Sequence, residues 1–385
     1  MFSGRTNWNL STNRLSEALA KHRASRKPLL DLSASNPTEC GFTYNSRAIL
    51  KAISRPDALR YQPNPRGMAA PRRAIARHHS TFGKKVAADD IFLTTGTSEA
   101  YAFVLRLLCN PGDEVLVPEP SYPLLNFLAD IQDVKLVRYP LIYDHGWQID
   151  FHSLEQAITP RSQALVVVNP NNPTGHFVTA GDLVRLNEIC TARKMAIIAD
   201  EVFLNFSLTA KRPPSFAANT GALTFTMGGL SKLCGLPQMK ASWFISSGPK
   251  ALKTEALARM EVIADTYLSM NTPIQLAIPD LLSQRRGFQR QVMNRVRQNL
   301  RELDRQLGGQ DLCTRLEVEG GWNAVLRVPA IHSDEDIAIQ LLAEKNVYLH
   351  PGHFYDFTGD GFLVVSLITP VRTFAEGIKR VLAAF

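Results

Sequence analysis

Four short stretches hold the residue types that do chemistry. "GGLSKLCGLPQMKASW" (residues 228–243) sets Lys232 directly after Ser231, between a strand pattern and a Gly-Leu-Pro turn, with Lys240 eight residues on. "IIADEVF" ends an apolar strand on Asp200. A carboxylate there must be paired or hydrogen-bonded, because burying it unpartnered costs several kcal/mol. "TTGTSEA" puts Gly96, Thr97 and Ser98 at a helix start. Free N–H groups and the helix dipole make such a start a phosphate site, although Ser and Thr also cap ordinary helices. "NPNNPTG" (residues 169–175) is a stiff turn that can aim the Asn172 amide at a ligand, or simply turn the chain. Each stretch has a bland reading alone. All of them in this order call for a common one.

Strand-like and helical runs alternate around these stretches. "DIFLTTG" precedes "SEAYAFVLRLL", "DEVLVPEPSY" precedes "PLLNFLADI", and "QALVVVNP" precedes "AGDLVRLNEICTARK", with "MAIIADEVF" next. Near-continuous apolar strands between amphipathic helices predict a buried, mostly parallel sheet covered on both faces. The polar and glycine-rich residues follow the strand C-termini, where such sheets bind ligands. The last third differs: a long helix, "RLEVEGGWNAVLRVP", a helical stretch, "VYLHPG", "FLVVSLI", and a closing helix from about Arg372. That is a smaller α+β unit. Residues 1–40 lack a sheet pattern and are expected to pack as an arm on that unit or on a partner subunit.

The length of 385 residues suits two domains. At 45% hydrophobic and 20% charged, the composition is that of a soluble globular protein. No run approaches the roughly 20 apolar residues of a membrane span, and "MFSGRTNWNL" has no apolar leader region. Five scattered cysteines (Cys40, Cys109, Cys190, Cys234, Cys313) argue against a disulfide framework or a zinc site and for a reducing, cytoplasmic setting. The formal charge of +8 invites a nucleic-acid reading. Residues 283–307, however, interleave seven arginines with Val292, Val296, Leu300 and Leu303 at helical spacing, the pattern of a long helix with a solvated basic face. No nucleic-acid partner is expected. A basic balance also suits an anionic cofactor or substrate.

NPNNPTG, ADEVF and SKLCGLP, in this order, resemble the class I/II aminotransferases, the fold-type-I pyridoxal 5'-phosphate (PLP) enzymes, over almost the whole chain. The resemblance implies an α/β fold. A large PLP-binding domain, residues 41–268, would hold a mostly parallel seven-stranded sheet flanked by helices. Residues 1–40 and 269–385 would form the arm and a smaller α+β domain. It also implies PLP as cofactor, an amino acid and a 2-oxo acid as substrates, and a homodimer. Lys232 would form the Schiff base with PLP, and Asp200 would keep the pyridine nitrogen protonated. Asn172 would donate to the ring hydroxyl, and Tyr122 of "EPSYP" would stack on the ring. Gly96, Thr97, Ser98 and Ser231 would hold the phosphate. Tyr61 of "RYQPNPRG" would reach that phosphate from the other subunit, and Asn36 of "SASNPT" belongs to the substrate loop.

The chain departs from the family pattern at three places. Lys240 stands where an arginine usually grips the phosphate, so a point charge replaces a two-pronged fork. Phe203 stands where many members have a tyrosine that donates to the ring hydroxyl, which predicts a raised Schiff-base pKa. In "GFLVVSL", Val364 holds the place, two residues before Ser366, of the arginine that binds the substrate α-carboxylate. Asn172, the backbone near Asn36, Lys240 and His353 are conceivable substitutes, His353 being otherwise a surface histidine. Residues 261–284 contain no Lys or Arg, which favours a neutral over a dicarboxylic substrate.

The implied activity is ping-pong amino transfer, with Lys232 as general base and acid. Val364 keeps other PLP reactions open: β-elimination, decarboxylation, or action on an amine or carboxylate-free substrate. A non-catalytic PLP-binding regulator is the third reading. Such regulators carry a DNA-binding winged helix for which the first 40 residues leave no room, and the joint presence of Lys232, Asp200 and Asn172 speaks for catalysis.

Overall fold

The computed structural model describes residues 1–83, 85–210, 215–268 and 270–385. In chain order the strands are β1 (Leu30–Asp31), β2 (Ile91–Thr94), β3 (Glu114–Glu119), β4 (Lys135–Tyr143), β5 (Trp147–Ile149), β6 (Ser162–Val168) and β7 (Ala196–Asp200). They continue with β8 (Thr224–Gly229), β9 (Ser242–Ser247), β10 (Thr314–Arg315), β11 (Asn323–Arg327), β12 (Val347–Tyr348), β13 (His350–Pro351) and β14 (Phe362–Ser366).

Strands β2 to β9 form one sheet in the order β2-β9-β8-β7-β6-β3-β4-β5. The run β8-β7-β6-β3-β4 is parallel, and β9 is antiparallel to both of its neighbours. The sheet has one strand more than the seven expected. The extra one, β5, is a three-residue hairpin return on β4, too short to carry a periodic signal. The central strands are apolar throughout because helices cover both faces. Val166 and Ile198 pack under helices Thr97–Leu108 and Lys250–Thr266, while Leu165, Val167 and Ile197 pack under helix Ala180–Arg193.

The second unit is the antiparallel sheet β10-β11-β14-β13. One face, with Ala324, Leu326, Leu363 and Val365, packs on helices Thr272–Leu307, Asp334–Lys345 and Val371–Leu382. In the 36-residue helix Thr272–Leu307, Val292, Val296 and Leu303 are buried, and Arg286, Arg290, Arg297, Arg301 and Arg305 are exposed. Arg295 instead donates to the carbonyls of Cys40 and Ile368, each at 3.2 Å.

The arm divides between the two units, a correction to the expectation. Helix Arg14–Ala24 packs on Asp334–Lys345, and β1 pairs with β12. The first residues turn the other way. Arg5 pairs with Asp133, and Trp8 Nε1 donates to Asp130 Oδ2 at 2.8 Å with its ring edge-on to Phe127. These contacts dock them on helix Leu124–Ile131, beside the large sheet.

Candidate active site

Strand register gathers the chemistry along one edge of the large sheet. Thr94 pairs with Ser242, Ser242 with Gly229, and Asp200 with both Met227 and Val168. The Gly96 turn, the Lys232 turn, Asp200 and the Asn169 loop therefore leave the sheet side by side, at the C-terminal ends of their strands. They wall a cavity of about 450 Å³, closed opposite by Ser33, Ser35, Trp322, Asn323, His350, Tyr355 and Ser366. Gly96, Thr97, Ser98, Tyr122, Asn172, Asp200, Phe203, Ser231, Lys232 and Lys240 all line it.

Lys232 sits on the short helix Leu230–Leu233 that follows β8. Its Nζ lies 5.1 Å from the centre of the Trp322 ring and 5.6 Å from that of Phe203. Ring faces tolerate an ammonium, yet burial holds this amine below the ordinary lysine value, with Asp200 opposing. Asp200 Oδ2 accepts from Tyr101 Oη at 3.2 Å, and Oδ1 accepts from the Val202 N–H at 3.1 Å. Burial raises the Asp200 pKa against those two bonds. A carboxylate offers about four acceptor positions, so Asp200 retains capacity for a proton-bearing group in the cavity.

The anion end is equally plain. Helix Thr97–Leu108 starts at Gly96 with no side-chain cap, leaving its first N–H groups for a ligand. The hydroxyls of Thr97, Ser98 and Ser231 and the exposed ammonium of Lys240 line the same cavity. An amine, a desolvated carboxylate and a hydroxyl-lined uncapped helix start match the aldehyde, the pyridine nitrogen and the phosphate of PLP. The residues present fit the cofactor.

The Asn172 loop is held from below and from the side. Asn171 Nδ2 donates to the Pro120 carbonyl at 3.0 Å and to Thr174 Oγ1 at 2.9 Å. Asn172 Oδ1 accepts from Asn323 Nδ2 at 2.6 Å, which leaves the Asn172 amide nitrogen as the donor.

Phe203 packs edge-on to Trp322 at 5.2 Å and puts no donor into the cavity. Val364 is 2% exposed, between Val325 and His350 in register, and among the described residues no arginine lines the cavity. Two expected residues lie outside it. Tyr61 is 74% exposed. Asn36 is spent on its own turn, Oδ1 accepting from the N–H and hydroxyl of Thr38, and Ser33, Ala34 and Ser35 take its place. His353 is exposed and also outside; His350, three residues earlier, lines the wall.

Tyr101, Trp322, Asn323, His350 and Tyr355 are among the cavity residues that the sequence does not single out. Tyr101 carried a faint signal, a phenol on the apolar face one turn after Thr97. The other four come from the small unit, where nothing local marks them.

Comparison with known proteins agrees with this geometry. The model of the family "aminotransferase class I and II" matches residues 7–375. Glutamate-pyruvate aminotransferase AlaA of Escherichia coli K12 is 27% identical over 351 residues, covering 88% of this chain and 86% of that protein. Alanine aminotransferase of Mycobacterium tuberculosis H37Rv is 27% identical over 380 residues, covering 94% of this chain and 86% of its own. The structure of alanine aminotransferase from Pyrococcus furiosus superposes with a TM-score of 0.89 at 22% identity, covering 99% of this chain and 98% of that one, a likeness of fold. The chain is thus a member of the class I and II aminotransferase family, a PLP-dependent enzyme that transfers amino groups.

Proposed function

We propose that the enzyme moves the amino group of a neutral amino acid, alanine foremost, to a 2-oxo acid by a ping-pong route, with Lys232 carrying the cofactor. The observation behind this reading is one desolvated amine and one desolvated carboxylate, Lys232 and Asp200, facing a single cavity. The names of the relatives support alanine, and so does the lack of Lys and Arg in residues 261–284.

Bound PLP supplies the electron sink that makes the substrate Cα–H acidic. Asp200 would accept the hydrogen bond of the pyridine nitrogen. Lys232 Nζ, its pKa lowered by burial, takes the Cα proton as general base and returns a proton as general acid. Asn172 would donate toward the ring hydroxyl, Tyr122 would cover the ring, and Trp322 and Phe203 would keep water from the amine. Gly96, Thr97, Ser98, Ser231 and Lys240 would hold the phosphate. Asn36 shapes the substrate loop rather than touching substrate.

The exposed Tyr61 reaches the phosphate of a second copy, so the active unit is a homodimer. The domain division at 41–268 against 1–40 and 269–385 stands as part of this reading, residue 269 lying outside the described residues. Among the described residues no helix is long and apolar enough to cross a membrane. The five free cysteines favour the cytoplasm.

The test is the visible spectrum of the holoenzyme before and after L-alanine, with pyruvate assayed. Conversion of the cofactor band with one pyruvate per chain, reversed by a 2-oxo acid, is expected. Release of ammonia or carbon dioxide instead would move the chain to elimination or decarboxylation.

A further inference from the structure

We infer that His350 holds the substrate carboxylate in this enzyme, replacing the arginine absent at Val364. The inference rests on the aminotransferase reading and adds a residue to it. Three cavity-lining groups among the described residues can carry positive charge: Lys232, Lys240 and His350. Lys232 has its own task. Lys240 lies two residues before Ser242, the register partner of Thr94, which places it at the phosphate end. His350 remains for the substrate.

Register puts it there. His350 on β13 pairs directly with Val364 on β14, so the imidazole stands one strand from the position of the missing guanidinium. Its Nδ1 lies 3.1 Å from Tyr355 Oη, which leaves Nε2 for a ligand. Tyr355 is itself anchored, its carbonyl accepting from the Ser121 N–H at 2.9 Å. When the phenol donates to Nδ1, the neutral ring carries its proton on Nε2, a donor ready for a carboxylate.

Tyr348, Phe354 and Tyr355 surround the ring, and Asp31 is the nearby charge. Burial favours the neutral ring in the free enzyme, while Asp31 opposes that. A bound carboxylate favours the imidazolium in the same way. Asn172, oriented by Asn323, supplies the second donor. The site therefore binds a carboxylate through separate single donors rather than a fork.

The experiment measures binding of propionate and of propionamide to the holoenzyme by calorimetry. Propionate has the carboxylate and cannot react; propionamide lacks the charge. Loss of a hydrogen bond to a charged group predicts propionate binding weaker by about tenfold to a hundredfold in His350→Ala, with propionamide unchanged. His350→Gln should recover part of the loss, and KM for alanine should follow propionate while kcat moves less. Tyr355→Phe keeps the imidazole but frees Nδ1, and should weaken propionate alone. An unchanged preference for propionate in His350→Ala, or equal loss of both ligands, overturns the assignment. Should the wild type transfer no amino group, the functional reading fails, and the two binding constants still decide on His350.

Discussion

Asn323 Nδ2 donates to Asn172 Oδ1 at 2.6 Å, joining the small sheet to the loop that follows β6 of the large one. The bond leaves the Asn172 amide nitrogen as the donor toward the cavity, so on the proposed function substrate alignment would depend on both units. Asn323→Leu should lower kcat/KM about tenfold, the value of one aligned hydrogen bond. Steady-state kinetics check this, with the loss expected mainly in KM.

Among the described residues, Lys232 is the one amine enclosed beside Asp200. Lys232→Ala should abolish the visible band of the covalently linked cofactor. Loss of the acid–base group should also cut amino transfer by about 10²- to 10⁴-fold. Spectra and single-turnover rates on the same preparation separate the two effects.

Phe203 places a ring, without a hydroxyl, against Trp322. Phe203→Tyr adds a donor to the cavity wall and should lower the pKa of the lysine–cofactor linkage. Absorbance followed against pH reads that pKa, and an unchanged value would remove Phe203 from this role.

Glu201, next to Asp200, faces away from the cavity. It accepts from Ser215 Oγ and from the Phe216 N–H, each at 2.7 Å. Burial pushes its pKa up to about 7 from the usual 4.5. As pH rises through that window, the unfolded chain releases this proton before the folded one does. Stability therefore falls, by about 3 kcal/mol at most. Glu201→Gln should flatten that slope, as read by urea unfolding at about pH 5 and about pH 8.

Tyr61 does not line its own cavity and is 74% exposed. Light scattering should give twice the chain mass, and Tyr61→Phe should weaken cofactor binding about tenfold at unchanged dimer mass. A monomer with full cofactor affinity would refute the shared site.

The elements around Lys232, Asp200 and Gly96 were legible because their signals are local. Asp200 ends an apolar strand, Gly96 caps a helix start and Lys232 sits in the short helix directly after β8, and β7 and β8 show their pattern within six residues. The three departures at Lys240, Phe203 and Val364 were equally local, being single residues inside recognisable motifs.

The amino-acid sequence by itself thus determined which residues gather on the large-sheet edge and the family to which the chain belongs. Tertiary structure alone decided the opposite wall. Trp322, Asn323, His350 and Tyr355 come to face Lys232 only when β11, β13 and β14 pair in one register. Side chains alternate along a strand, so Ser366 lines the cavity while Val365 enters the core. A slip of one residue would exchange them. That register is set by burial against three helices distant in the chain, and no short window of sequence contains it.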